Sequence, residues 1–452
     1  VLLLGDDMVP APQLVAAHLD GHNEADDPQV AILGHVDWHP DAGLNRIQRW
    51  LDWSGTQFDF HLIDQSKDAG FGRFFSCNVS LRRNLYDAAG GFDPEFVYYY
   101  EDLDFGWRLQ QQRMRLLYRP TARALHLHRY DWATLQRRFD GIAVGERMMA
   151  AKHPWFEPWY RDRMKAAMAE PARSRLWPRL ADALPNAVVE AVPGARRLRR
   201  AIRRRANTRN YQNLAPRFLW QWSGQEGLDE LRTYLGAGFD ESRLHLHAHH
   251  VHTGEAAAED AVEFYRTTDA YLYDLTAFAL WDTKLPYYEA IKAAVAPGAR
   301  LLDYGCGIGT DGLRLVDAGF RIGFAEFDNP SSRYLKWRLE RRGILPPVAE
   351  VYDLDVHVPS GFDLAYSIDV IEHVEDPFGF LAELERRAPI VAVNFLEDAP
   401  NDVHPHHALP IDKLLAHCED RGIITQRTYH HGRSHFVIYR SGGPSTSPIG
   451  ER

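Results

Sequence analysis

At 452 residues the chain is long enough for two to three domains. Hydrophobic residues make up 45% and charged residues 25%, ordinary globular values, and a formal net charge of -10 argues against a generic nucleic-acid binder. Cys77, Cys306 and Cys418 lie far apart in no zinc spacing and point to a reducing cytoplasm, while no apolar run approaches the roughly 20 residues that cross a bilayer.

Residues 1–4 are continuously apolar, as in a buried parallel strand, and deliver Asp6 and Asp7 at its end before an amphipathic helix over 13–19. Paired carboxylates at a strand end are a natural seat for a divalent cation holding a diphosphate, although Asp also favours turns. Residues 21–72 are rich in Trp, Phe and His. Trp38, Trp50 and Trp53 are candidates for stacking on sugar rings, with at least one expected in the core.

The stretch 74–128 carries Asn78 and Ser80 before a short helix, a GGFD turn at 90–93, Glu101, Asp102, Asp104 and Arg108 at a helix start, and Tyr118, Pro120 and His126 in a closing strand. In this order they resemble family 2 glycosyltransferases of the GT-A fold. The resemblance implies sugar transfer from a nucleotide-diphospho-sugar donor with inversion. It makes Asp102 the base for the acceptor hydroxyl and Glu101 a holder of acceptor hydroxyls. It gives Asp7, helped by Asp6 and His126, a Mg²⁺ or Mn²⁺ ion. His128, two residues past His126, stays open as the alternative ligand, and capping of the helix remains the plain role for Asp104. Two departures stand out. The family's D-x-D pattern would put an acid where the chain has Gly5, and its first strands would precede Val1, so the domain is expected to be N-terminally truncated.

Residues 131–168 read as the helical end of this domain. A basic, proline-punctuated linker over 169–215 follows, in which 195–206 places Leu198, Ala201 and Ile202 on a narrow stripe among seven arginines. A solvated linker helix and a helix lying on anionic lipid are both open. In HLHAHHVH, a strand would align His245, His247 and His249 on one face, a compositional hint of metal. Residues 261–293 read as helices that include Tyr271, Tyr273, Thr276 and Lys284.

LLDYGCGIG, at 301–309, joins a short buried strand to a helix over 310–317. Asp303 ends the strand, and Gly305, Gly307 and Gly309 give a tight turn with room for close ligand approach. The third glycine comes one residue too early for a dinucleotide fingerprint, and no Gly-Lys-Ser/Thr follows. The form D-x-G-C-G-x-G resembles motif I of class I S-adenosylmethionine methyltransferases. The resemblance extends to Gly319, to a strand over 321–325 ending at Glu326, to Asp353 and Leu354, and to 362–377. It implies that Glu326 holds the ribose hydroxyls and that Asp353 and Leu354 contact adenine. His373 is the candidate base for a hydroxyl acceptor, with His404, His406 and His407 as alternatives. Strands over 390–395, 422–428 and 435–440 complete the sheet, and the Gly/Pro/Ser-rich tail 442–452 is expected to be disordered.

The expected architecture is α/β. A partial GT-A domain occupies 1–168, a basic linker 169–215, a helical cap 216–295, and a Rossmann-like methyltransferase domain 296–441. The joint expectation is a cytoplasmic enzyme of glycan or glycoconjugate biosynthesis that adds a sugar and methylates a sugar hydroxyl, with a glycan or lipid-linked sugar as acceptor and no nucleic-acid partner. Peripheral contact with the membrane would run through the arginine helix. The alternatives are an active methyltransferase with a glycan-binding first half, and a membrane-docked assembly protein.

Overall fold

The structure, a computed structural model, describes residues 1–97, 99–181, 183, 189, 192, 194–257, 261–397 and 407–442. The chain divides into two compact units, Val1–Trp222 and Ser223–Arg452. The boundary falls inside a 41-residue helix, Ala195–Leu235, and the expected linker therefore has a different character. Tyr211, Leu214, Ala215, Phe218 and Trp222 join the core of the first unit with Trp50, Leu135, Phe139 and Ile142. No glycine interrupts the helix before Gly224, and Gly236 follows its end.

The first unit holds a five-stranded mixed sheet of β1 (Leu2–Leu4), β2 (Met8–Pro10), β3 (Val30–Trp38), β4 (Asn78–Ser80) and β5 (Arg115–His126), in the order β1-β4-β3-β5-β2. β3 is central and parallel to β5. Ala31 and Leu33 of β3 pack into one core with Phe74, Phe105 and Leu116. β1 departs from the expected buried parallel strand: it is an edge strand, antiparallel to β4, with Leu2 and Leu4 exposed. A strand with one neighbour keeps its apolar side chains half wet, and composition does not distinguish it from a central one. The helix after Asp7 is longer than expected, Leu14–Ala25.

Between Gly34 and His35 the β3–β5 register shifts, and β5 bows out over Pro120–Ala122. Asn78 plugs the gap, its Nδ2 donating to the carbonyls of His35 (3.1 Å) and Ala122 (2.9 Å). A Cβ on Gly34 would lie 2.2 Å from that amide nitrogen, so only glycine fits. The bulge brings the last residues of β5 alongside β2.

The second unit opens with helices and continues as a seven-stranded sheet. Its strands are β6 (Arg300–Tyr304), β7 (Arg321–Glu326), β8 (Ala349–Asp353), β9 (Leu364–Ser367), β10 (Ile390–Leu396), β11 (Ile423–Tyr429) and β12 (Ser434–Arg440), in the order β11-β12-β10-β9-β6-β7-β8. β6 to β10 run parallel, and β12 is antiparallel to both β10 and β11. The chain works outward from β6 through β7 to β8 and then crosses to β9 on β6's other side. The C-terminal ends of β6 and β9 therefore flank a topological switch point, where ligands bind in such sheets.

HLHAHHVH is helical, split between Glu241–His245 and His247–Ala257, so the three histidines do not share the face a strand would give them. Leu244 and Val251 are buried, Leu244 in one cluster with Leu272 and Tyr273, and this packing overrides the two-residue pattern. His247 Nδ1 lies 2.7 Å from Asp274 Oδ1, an ordinary ion-pair geometry.

Candidate functional sites

In the first unit the pairing of Met8 with His126 sets Asp7 beside the end of β5. Asp7 Oδ2 lies 2.9 Å from His126 Nε2 and 3.3 Å from His128 Nδ1. One ligand atom from each of the three lies within 4.8 Å of the others, the only such group among the described residues. The His126 hydrogen bond holds the Asp7 carboxyl below its usual range, outweighing burial, which works the other way. Trp38 stacks on His126 at 5.0 Å, and Tyr130 lies 4.4 Å from His128, fixing both rings. Both histidines thus belong to the cluster, which leaves no choice to make between them. Asp6 does not: it is exposed and outside the group, because the turn between β1 and β2 points neighbouring side chains apart.

The three acids at the start of the helix Glu101–Gln111 sort into different roles. Asp104 is buried and fully engaged, with Oδ2 accepting from Arg108 Nε (2.9 Å) and Oδ1 2.9 Å from His153 Nε2. Asp102 Oδ2 accepts the Ser76 N–H at 3.1 Å, and Oδ1 has no partner. Burial, then the neighbouring charge of Glu101, pushes Asp102 up to about 7. Glu101 is raised by burial as well, with Oε2 unpartnered. The Cys77 thiol is driven up by burial and then by the charges of Asp102 and Asp7, so both acids act on the same half-buried residue.

What holds these acids left no signal in the sequence. Tyr99 and Tyr100 take left-handed backbone angles, φ 62° and 71°, strained for non-glycine residues and characteristic of functional turns. A Cβ on Gly145 would stand 2.6 Å from the Tyr99 carbonyl, so glycine lets the helix Trp132–Lys152 close against the turn. Tyr100 Oη donates to Glu146 Oε1 at 2.9 Å from the same helix. Of the three tryptophans named above, Trp50 is core, with its Nε1 donating to Asn207 Oδ1.

In the second unit Gly305, Gly307 and Gly309 all have positive φ, which explains their spacing on alternate positions. The amides of Gly305 and Cys306 both donate to the Ala325 carbonyl, at 2.9 and 3.2 Å, tying the turn to the end of β7. Glu326 closes the other side. Its Oε2 accepts the Gly307 N–H at 2.7 Å, and its Oε1 accepts from Phe327 N–H (2.9 Å) and Asn329 Nδ2 (3.2 Å). Glu326 is buried, which raises its carboxyl. Asp353 pairs with Glu326 in the β7–β8 register, and the Leu354 amide donates to the Glu326 carbonyl at 3.1 Å. Asp303 is buried at the end of β6, pushed up to about 8 by burial and next by Asp311, with Oδ2 unpartnered. Gly312 lets it sit there, since a Cβ would come within 3.0 Å of that oxygen.

His373 Nδ1 lies 2.9 Å from the Tyr265 hydroxyl, and the Tyr265 carbonyl accepts from Asn329 Nδ2 at 3.1 Å. Asn329 therefore joins Glu326 to the helix Ala261–Thr267 that reaches His373. Sequence reasoning left Tyr265, Asn329, Asp369 and Glu372 without roles and Lys284 unassigned. Lys284 Nζ is 3.2 Å from Asp369 Oδ2 and 3.5 Å from Asp311 Oδ2, and these acids keep it charged against burial. Asp369 has φ 57° and exchanges hydrogen bonds with Asn394 through its amide (2.8 Å) and its Oδ1 (2.7 Å). Glu372 is raised by burial and next by Asp369, and its Oε2 is unpartnered. His407 is exposed, its amide donating to the Glu372 carbonyl at 2.9 Å, while His404, His406 and the tail 443–452 lie outside the described residues.

No protein-family model matches the chain, and no curated protein matches it. Similar solved structures include EvdMO1, 19% identical over 34% of this chain and 39% of its own, with a TM-score of 0.27. This chain therefore spans less than half the length of that protein. A SAM-dependent methyltransferase from Aquifex aeolicus is 19% identical over 33% of this chain and 87% of its own, TM-score 0.28. Magnesium protoporphyrin IX methyltransferase from Synechocystis PCC 6803, with bound SAH, is 15% identical over 36% and 85%, TM-score 0.28. With identities and scores this low, the functional reading rests on the chain's own geometry.

Proposed function

We propose that the second unit is a methyltransferase that uses S-adenosylmethionine. The observation that carries this reading is the Glu326–Gly307 hydrogen bond, which puts a buried acid against a glycine turn at the switch point of the sheet. The residues fit the cofactor. Glu326 accepts three donors, and a carboxylate offers about four lone-pair positions, leaving one for a ribose hydroxyl. Asp303 keeps an oxygen for a further donor, and Asp353 with Leu354 lies on the next strand for the adenine. The cofactor, when bound, supplies an electrophilic methyl group on a sulfonium. The chain's own task is to align the acceptor and take its proton. His373, oriented by Tyr265, is the base of choice, and a sugar hydroxyl is the proposed acceptor. Calorimetric titration with S-adenosylmethionine tests the site: Glu326→Ala is expected to weaken binding at least tenfold, and unchanged affinity would remove Glu326 from the ribose.

For the first unit we propose sugar transfer from a nucleotide-diphosphate donor, on the strength of the Asp7–His126–His128 cluster together with the unpartnered Oδ1 of Asp102. One carboxylate and two imidazoles suit Mn²⁺ better than Mg²⁺, which prefers oxygen ligands and near-octahedral water. Such an ion would neutralise the leaving diphosphate. Asp102 accepts the proton of the attacking hydroxyl, and Glu101 holds neighbouring hydroxyls. Nucleotide-sugar hydrolysis stimulated by Mn²⁺ and lost in His126→Ala is the direct check. A first unit that binds glycan without turning over any donor would favour the scaffold alternative. Joined, the two activities would extend and methylate a glycan or lipid-linked sugar.

A further inference from the structure

Arg138, on the helix Trp132–Lys152, is a half-buried guanidinium with no acid beside it. Its Nη1 donates to the Tyr130 hydroxyl at 2.8 Å and to Gln57 Oε1. Its Cζ lies 5.5 Å from the centre of the Tyr130 ring and 5.8 Å from that of Tyr99. Nε is buried without a partner, and Nη2 makes no hydrogen bond among the described residues. The titratable groups that face it most strongly are the phenols of Tyr130, Tyr160 and Tyr99, not carboxylates.

Other arginines of the chain show what this edge does when it serves structure. Arg73 lays Nε and Nη2 on Asp59, at 2.9 and 2.6 Å for Oδ2. Arg342 puts the same two nitrogens on Glu230, at 2.6 and 2.9 Å. A guanidinium taken partly out of water normally recovers its lost hydration from such an acid. Arg138 is instead anchored by Nη1 alone, and the Nε–Nη2 fork that matches two oxygens of one anion is unused.

Its surroundings select the anion. The Tyr130 ring that carries Arg138 on one side lies 4.4 Å from the His128 ring on the other, so one aromatic ring separates the guanidinium from the Asp7–His126–His128 cluster. Tyr99 belongs to the left-handed turn that leads into Glu101 and Asp102. Arg138 therefore stands between the cluster suited to a metal-held diphosphate and the acids suited to an acceptor hydroxyl.

We propose that the Nε–Nη2 edge of Arg138 binds two oxygens of a substrate phosphoryl group. This rests on the sugar-transfer reading of the same site, in which either substrate can bring the phosphoryl: the donor as its diphosphate, or a lipid-carried acceptor as its linking phosphate.

Calorimetric titration of the full chain separates the two sources. The donor probes are UDP, GDP and dTDP, each with Mn²⁺; the acceptor probe is geranyl phosphate without metal, with geraniol as its uncharged control. Arg138→Gln is expected to weaken binding of a nucleoside diphosphate or of geranyl phosphate by about 10- to 100-fold, the range for a hydrogen bond to a charged group. The probe affected identifies the source. Arg138→Lys, which keeps the charge and loses the fork, is expected to recover only part of that affinity. Near-ultraviolet circular dichroism verifies that each variant is folded, and the lysine variant alone decides the matter if the glutamine variant is not. Full affinity for every probe in the folded variants, or no binding of any probe by the parent chain, would overturn the proposal. Diphosphate binding lost in His126→Ala but unaltered in both Arg138 variants, with geranyl phosphate unaffected by them, would overturn it and leave the sugar-transfer reading standing. Arg138-dependent binding of geranyl phosphate with no Mn²⁺-dependent binding of any diphosphate would do the reverse.

Discussion

A carboxyl that titrates near neutrality is present in both protonation states at physiological pH, and burial places Asp102 in that position. Only the ionised form can act as a base, so acceptor transfer is expected to rise with pH through about 7, and a rate profile from pH 5.5 to 8.5 measures it. Asp102→Asn should reduce transfer by about 10²–10⁴-fold while donor binding persists. Asp104→Asn gives the contrasting result. It removes the charge facing Arg108 and leaves one acceptor oxygen where Arg108 and His153 use two, and should lower stability by about 1–3 kcal/mol in urea denaturation, with the chemistry of the remaining folded protein little altered. Sequence could rank these two acids only by their order in a motif. What separates them is the presence of Arg108 and His153 around one and of Ser76, with no cation, against the other.

Elements whose signal lies in adjacent residues were legible. The glycine turn could be read because Gly305, Gly307 and Gly309 each need φ above zero, and the helix Thr310–Asp317 and strand Arg321–Glu326 fall where their local patterns put them. Elements decided by distant partners were not. HLHAHHVH alternates like a strand yet packs as helix, and β1 reads as central though it pairs on one side only. The Tyr99–Tyr100 turn belongs to the same class, since Gly145 makes room for it from 45 residues away. Gly145→Ala would set a methyl 2.6 Å from the Tyr99 carbonyl. It is expected to cost about 1–3 kcal/mol in urea denaturation and to depress transfer by displacing the start of the Glu101 helix. In the second unit Arg338 acts similarly at long range, with Nε on Glu230 Oε2 at 2.8 Å and Nη1 on the Ile308 carbonyl at 2.8 Å. Arg338→Ala leaves Glu230 buried with one partner fewer and frees the glycine turn, with an expected loss of about 3–5 kcal/mol.

At the scale of the whole molecule, acid tolerance is set partly by a buried histidine pair in the first unit. His18 lies 2.9 Å from Ser80 Oγ and 3.0 Å from Asn78 Oδ1, and His22 lies 2.9 Å from the same Ser80 hydroxyl. Burial, then the charges of Arg82 and His18, lowers His22 to about 4. The unfolded chain takes up this proton near pH 6.5 and the folded one only near 4. Stability is therefore complete above about pH 6.5 and declines as the pH falls through 4; urea midpoints at pH 7.5, 5.5 and 4.5 should show the decline, and His22→Gln should flatten it. The long helix has a practical consequence for anyone dissecting the protein. A fragment ending at residue 168 would forfeit Tyr211, Leu214, Ala215, Phe218 and Trp222 and leave an apolar trough over Trp50 and Phe139. Expressed alone it should aggregate, and a fragment carried to residue 222 should not, so a silent 1–168 fragment in a sugar-transfer assay would report its missing buttress and not its chemistry.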